Sequence, residues 1–272
     1  MCTKLTVIVD NIAKDDIKGE WGLCILVEHE NKKILVDAGG SGLFGDNLKK
    51  LGFRIDEIDY AVLSHAHYDH ANGMLRFFAE NGKAKFYLRD HAKENCYSKY
   101  FFVKNYIGLP KNILTDYADR IELVSGDSTL CEGAYLIPHK TQNLARIGRR
   151  EMMYQKTPKG FVPDDFSHEQ SLVLDTKMGL VIINSCSHGG AVNIVKEIMM
   201  TFPEKKVYAL IGGFHLFNKR RSEIKAVARE LKALGVQEIC TGHCTQGRAY
   251  HIMREEIGDM VKQFHVGFEA EY

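Results

Sequence analysis

The chain has 272 residues, 45% of them hydrophobic and 26% charged, with a formal net charge of +1. That length can bury a sizeable core in a single domain, and so even a charge supplies no global field toward nucleic acid or an anionic membrane. The longest apolar runs, such as Gly179–Ile183, are far too short to span a bilayer, and no charged leader precedes an apolar block at the N-terminus, so neither a signal peptide nor a membrane span is expected.

In chain order, the β-branched runs at 4–10 and 21–40 predict strands, the second broken into a hairpin at His29–Lys33. Residues 43–52 predict a short helix closed by Gly52. The run 58–65 reads as a buried strand. Met74, Leu75, Phe77 and Phe78 then give a helix stopped at Gly82, and 83–90 a further strand. Residues 98–118 are aromatic, basic and irregular; Tyr100, Phe101, Phe102 and Tyr106 are candidates to wall a pocket for a flat ring or to pack on the core. Strands return at 120–125 and 134–139. Residues 139–168 read as a long loop, and a loop of that length usually carries function or disorder. Beyond it, 170–175 and 179–184 predict a hairpin, 191–200 a helix, 206–213 a strand, 224–235 the clearest helix, 236–243 a strand and 253–264 a helix. We take 1–272 as one domain with a substrate-loop region at about 98–168.

The seven cysteines are odd in number and include no C-x-x-C, which fits reduced thiols in a cytoplasmic protein rather than a disulfide framework. The twelve histidines carry more information through their placement. His65 and His67, His188, His215 and His243 each follow a predicted strand, where ligands bind in open α/β sheets. Within "SHAHYDHANG", His65 and His67 point the same way on extended chain and can grip one metal ion. Asp69 and His70, as the chain turns into a helix, point to a second position nearby. Imidazoles with a carboxylate suit Zn, Mn or Fe, and two such ions can share a hydroxide and polarise a phosphoryl or carbonyl oxygen.

"SHAHYDHANG" resembles the H-x-H-x-D-H signature of the metallo-β-lactamase superfamily. "ILVDAGG" resembles that family's early Asp-Gly motif, which gives Asp37 the role of supporting the metal loop. "CTGHC" resembles its last motif, with His243 as a ligand of the second metal. The resemblance implies an α/β fold, the αββα sandwich of two mixed sheets flanked by helices, with a one- or two-ion zinc site (Mn or Fe as alternatives) along one edge. "SCSHGGAVNIV", "LIGGFHL" and "DDFSHEQSLVLDTKMGLVII" further resemble the dihydropterin-ribofuranosylaminobenzene phosphate synthases, whose archaeal members join a pterin diphosphate to an aryl-riboside phosphate.

The family's bridging aspartate has no counterpart in its usual Gly-Asp setting. Either His188 completes a trio with His65 and His67, with His215 near the missing carboxylate, or Cys186 or His188 takes the bridging place. For Cys186 the first reading is a small buried residue at a tight turn, ahead of a bridging thiolate. Asp69 and His168 are the candidate catalytic residues, His168 as proton donor or loop cap. Arg146, Arg149 and Arg150 are the candidate anion-binding residues. The expected activity is metal-dependent hydrolysis or transfer at a phosphate or diphosphate ester of a small anionic substrate. Lactone or other acyl hydrolysis is the alternative reaction, and a non-catalytic metal-binding or sensor protein the alternative class. The family's redox variant has a carboxylate where this chain has His67, and a flavin domain for which no length remains. A homodimer is the default assembly of a soluble enzyme.

Overall fold

The computed structural model describes residues 3–14 and 16–272, so Cys2 lies outside the described residues. Two seven-stranded mixed sheets face each other. The first runs, edge to edge, Glu269–Glu271, Thr3–Val9, Cys24–His29, Lys32–Val36, Tyr60–Val62, Phe86–Arg89 and Ile121–Val124. The second runs Val261–Gln263, Glu238–Thr241, Val207–Gly212, Gly179–Ile183, Gln170–Thr176, Ala134–Pro138 and Ser128–Cys131.

The layering follows from strand periodicity, because alternate side chains leave opposite faces. Ile25 and Val27, Ile34 and Val36, and Val62 on the first sheet meet Leu172 and Leu174, Val181 and Ile183, and Ala209 and Ile211 on the second. The intervening residues face outward. Cys24, Leu26 and Leu35 pack under Phe44, Leu48, Met74, Phe77 and Phe78 from the helices Leu43–Lys50 and Met74–Glu80. Val173, Ile182, Leu210 and Ile239 pack under the helices Ala191–Thr201, Arg221–Ala233 and Gln246–Ile257. Strands buried on both faces must be apolar throughout, which explains the unbroken hydrophobic runs. The result is the four-layer αββα sandwich.

Three expectations are corrected. Residues 139–168 are not a loop: they form the helix Ala145–Arg150 and the strands Met153–Thr157 and Gly160–Pro163. With Cys96–Tyr100 and Val103–Tyr106 these strands build a third, four-stranded sheet, so the substrate-loop region is largely regular. The last helix is Gln246–Ile257, and 261–263 is a strand. Leu75 is exposed, while Met74, Phe77 and Phe78 are buried: the i, i+3, i+4 stripe leaves Leu75 on the outer face. Among the described residues no helix is long and apolar enough to cross a membrane.

Candidate metal centre

The chain leaves the strand Tyr60–Val62 and enters the one-turn helix Tyr68–Ala71. His65 and His67 lie on the connection, Asp69 and His70 on the helical turn, and all four are buried. Gly73 makes the turn possible, since a Cβ there would stand 2.1 Å from the Ala38 carbonyl oxygen. Asp37 directly follows the strand Lys32–Val36 and fixes the loop from beneath. It accepts hydrogen bonds from the Ser64 N–H (2.7 Å), the Ser64 hydroxyl (2.7 Å) and His70 Nδ1 (2.7 Å). His70 Nε2 is thereby turned into the site. Ser64 Oγ also meets His65 Nδ1 at 2.8 Å, leaving His65 Nε2 free.

The second sheet supplies the opposite wall. Cys186 and His188 follow Gly179–Ile183, His215 follows Val207–Gly212, and His243 and Cys244 follow Glu238–Thr241. Three of these turns are strained: Ser187 (φ 49), His215 (φ 49) and His243 (φ 44) adopt left-handed backbone, as does Asp37 (φ 62). Strain of this kind gathers where side chains must be aimed. His243 is held by its N–H donating to Asp10 Oδ1 (2.8 Å) and by Nδ1 meeting Asn11 Oδ1 (3.2 Å). The Glu169 carboxylate accepts the backbone N–H groups of His188 (2.9 Å) and Gly189 (3.0 Å).

Candidate ligand atoms converge in overlapping groups within 4.8 Å: His65, His67 and His188; Asp69, His70 and His243; His65, His70 and Cys186; Cys186, His243 and Cys244. His65 Nε2, His67 Nε2 and both ring nitrogens of His188 are buried without a hydrogen-bond partner. Buried polar atoms are rarely left so, and lone pairs aimed at a common point are what a cation requires. Burial and the neighbouring imidazoles push His65 and His188 well below the usual histidine range and His67 down to about 4, so all three are neutral and able to donate. Burial also opposes charge on His70, but Asp69 and Asp37 outweigh it and hold it up to about 9. Burial likewise works against an ionised Asp69, yet His70 and His243 keep its carboxyl well below the usual range. The Asp69 end of the cluster is therefore where positive charge is most favoured.

Two cavities open on this centre. One, of about 170 Å³, has Trp21, Tyr68 and Phe217 at its mouth and His67, Asp69, Cys186, His188, His215 and His243 within. Its neighbour, of about 210 Å³, is bounded by Arg150, Lys219, Phe214 and the first residue of the helix Ala191–Thr201. His188 and His215 border both. His215 stands outside the ligand groups, its ring 4.7 Å from that of His188 and its Nε2 3.8 Å from Glu151.

Of the three arginines, Arg150 alone borders the cavity beside His188. Arg146 lines a separate surface depression that Arg150 also touches, and Arg149 lines neither, because successive helical residues cannot share one face. His168 is buried: Nδ1 accepts the Ala66 N–H (3.1 Å) and Nε2 faces Asp164 Oδ2 (3.2 Å) and Cys96 Sγ (3.6 Å). Both nitrogens are engaged inside the protein, and His168 forms a further candidate ligand group with His67, Cys96 and Asp164. Tyr100, Phe101 and Phe102 lie at an exposed hairpin tip, and Tyr106 donates to the Leu109 carbonyl. None of the four lines the centre, whose aromatic wall is Trp21, Tyr68 and Phe217 instead. Asp10, Asn11, Glu169 and Cys244 are not marked by the sequence reading, although Asp10 directly follows a buried strand, the signal that marks the histidines.

The sequence profile described as "Metallo-beta-lactamase superfamily" matches residues 21–176. The 7,8-dihydropterin-6-methyl-4-(beta-D-ribofuranosyl)-aminobenzene-5'-phosphate synthase of Methanocaldococcus jannaschii is 31% identical, over 91% of this chain and 88% of the relative. The crystal structure of Tm1679, a metal-dependent hydrolase of the beta-lactamase superfamily, superposes with a TM-score of 0.85 at 29% identity, covering 99% of each chain. A diphosphatase from the PhnP family shares the fold, with a TM-score of 0.56 at 12% identity over 99% of this chain and 98% of that one.

Proposed function

The chain belongs to the metallo-beta-lactamase superfamily, and from that premise we propose a metal-dependent enzyme that hydrolyses or transfers at a phosphate or diphosphate ester of a small anionic, pterin-related molecule. The observation that carries the metal-dependent part is the set of unpartnered imidazole nitrogens on His65, His67 and His188, buried and converging. These three would hold one ion and Asp69, His70 and His243 a second, with zinc the first choice and manganese or iron the alternatives. A divalent ion bound there supplies Lewis acidity to a phosphate oxygen and acidifies water.

The chain's own groups then divide the work. Asp69, kept ionised by His70 and His243, orients a nucleophile's proton at its exposed edge. Trp21, Tyr68 and Phe217 give the mouth flat apolar faces on which a ring can stack. In the adjoining cavity, which Glu223 also lines, Arg150 and Lys219, both paired with Glu151, and the N-terminal end of the helix Ala191–Thr201 are the groups that would meet a phosphate. Ser187 Oγ, buried and unpartnered in a residue lining that cavity, adds a donor. The name of the archaeal relative supports the pterin and phosphate choice. A cytoplasmic location is part of the same proposal, supported by the free cysteines among the described residues.

Metal content and a substrate panel test this reading. We expect one to two ions per purified chain, lost in the His65→Ala, His67→Ala double variant. We expect turnover of phosphate or diphosphate esters ahead of lactones, and Arg150→Ala should raise KM for the phosphorylated substrate on the order of tenfold with metal content unchanged. Full metal in the double variant would remove the centre. Lactone turnover without phosphoesterase activity would move the enzyme to acyl chemistry.

A further inference from the structure

Of the donors that the second sheet's strand ends bring to the centre, namely Cys186, His188, His215, His243 and Cys244, none is a carboxylate, and two are sulfur. Cys186 Sγ and Cys244 Sγ lie 3.4 Å apart, both buried. That is far longer than a disulfide, about 2.05 Å, and both are free thiols. Cys186 Sγ is also 3.3 Å from His70 Nε2, and the two sulfurs share a group with His243. Both cysteines line the cavity that holds the histidines.

The surrounding backbone is shaped to admit them. At Gly213 a Cβ would stand 2.5 Å from Cys244 Sγ, so the strand end passes close to the sulfur only as glycine. The His215 N–H donates to Cys244 Sγ at 3.3 Å, a contact that favours a thiolate there. Packing alone does not require two sulfurs in mutual contact beside imidazole nitrogens. Two cysteines merely filling space would be expected in an apolar cluster, and neither Cys186 nor Cys244 belongs to one of the three hydrophobic cores, whereas Cys24, Cys96 and Cys240 do.

We infer that Cys186 and Cys244 join the Asp69, His70 and His243 set through the shared His243, making the second metal position thiolate-bearing and selective for thiophilic ions such as zinc, iron(II) or cobalt(II). Soft anionic sulfur takes the place a bridging carboxylate would otherwise fill, and oxygen-preferring ions such as magnesium and manganese are disfavoured there. The position includes the Asp69–His70 pair and leaves the His65, His67 and His188 trio as the nitrogen-rich end. This inference rests on the metal-centre reading above.

The test is optical. The full chain is stripped with chelator under reductant, reloaded with cobalt(II) and examined for a sulfur-to-cobalt charge-transfer band in the near ultraviolet. We expect the band in the wild type, weakened in Cys186→Ser and in Cys244→Ser and abolished in the double variant. The double variant should bind about one fewer cobalt per chain and keep the ion at the histidine trio. Wild-type protein that binds cobalt with ligand-field bands only would overturn the thiolate assignment, as would an unchanged band in the double variant. Wild-type protein that binds no cobalt would instead strike at the metal centre itself. If the serine variants fail to fold, cadmium loading of the wild type decides alone: sulfur-to-cadmium absorption supports the inference and its absence refutes it.

Discussion

Asp37 concentrates three short hydrogen bonds on one fully buried carboxylate in left-handed backbone. Its partners are the residue that starts the metal loop and the histidine that ends it. Asp37→Ala leaves the Ser64 N–H and His70 Nδ1 without acceptors in a dry interior, and removing one partner from such a site typically costs about 3–5 kcal/mol. We expect a lowered thermal midpoint together with loss of metal, while Asp37→Asn, which keeps an acceptor, retains the fold. Unchanged metal content in a folded Asp37→Ala protein would contradict the supporting role. Residues of this kind were readable because a charged or imidazole side chain directly after an apolar strand has few bland explanations. Cys244 and Ser187 escaped notice because a small side chain at a strand end is equally at home as filler. Only proximity to Cys186 in one case, and an unpartnered hydroxyl in the other, sets them apart.

Between elements, the tie that places His188 is a buried string of charges. His139, just past the strand Ala134–Pro138, bridges Glu169, at the head of Gln170–Thr176, and Glu197 on the helix Ala191–Thr201. Burial disfavours the imidazolium, but Glu169 and Glu197 more than reverse this and hold His139 up to about 9. Its value is thus above the ordinary 6.5 of the unfolded chain, so its contribution to stability is complete below about pH 6.5 and disappears as pH rises through about 9. We predict that the urea midpoint of the wild type falls over this window by the equivalent of up to about 3 kcal/mol, and that His139→Gln flattens the decline. Equal alkaline slopes in the two proteins would refute the assignment. At this scale the sandwich strands were legible, since burial on both faces forces long apolar runs. The third sheet was not: in Met153–Thr157 and Gly160–Pro163 no residue is fully buried, and Met153–Thr157 pairs with Cys96–Tyr100, distant in sequence. Pro158 and Gly160 mark the hairpin turn, but no periodicity announces the pairing across to Cys96–Tyr100.

For the whole molecule, both sheets contribute to one interlocking layer, in which Leu5, Ile25 and Ile34 pack with Leu172, Val181 and Ile211. Neither sheet can keep its inner face dry alone, so we predict a single cooperative unfolding transition. The one tryptophan, Trp21, has its ring 5.1 Å from that of His243 and reports on the mouth, while far-ultraviolet circular dichroism reports on the helices. The two curves should coincide, and an earlier tryptophan transition would show the mouth melting by itself. The placement of the donors adds a matter of timing. His65, His67, Asp69 and His70 come from one sheet, and His188 and His243 from the other, nearly 180 residues separating the first from the last. A chain emerging from the ribosome therefore has no finished cage until its final segment has folded back, and an ion captured by the early histidines alone would be lost again quickly. Once both sheets close, an ion held by donors of both would be a clasp across the seam. Opening the seam would then mean tearing donors of both sheets from one ion, so metal-loaded protein should resist unfolding more than stripped protein, by an amount that grows with free metal.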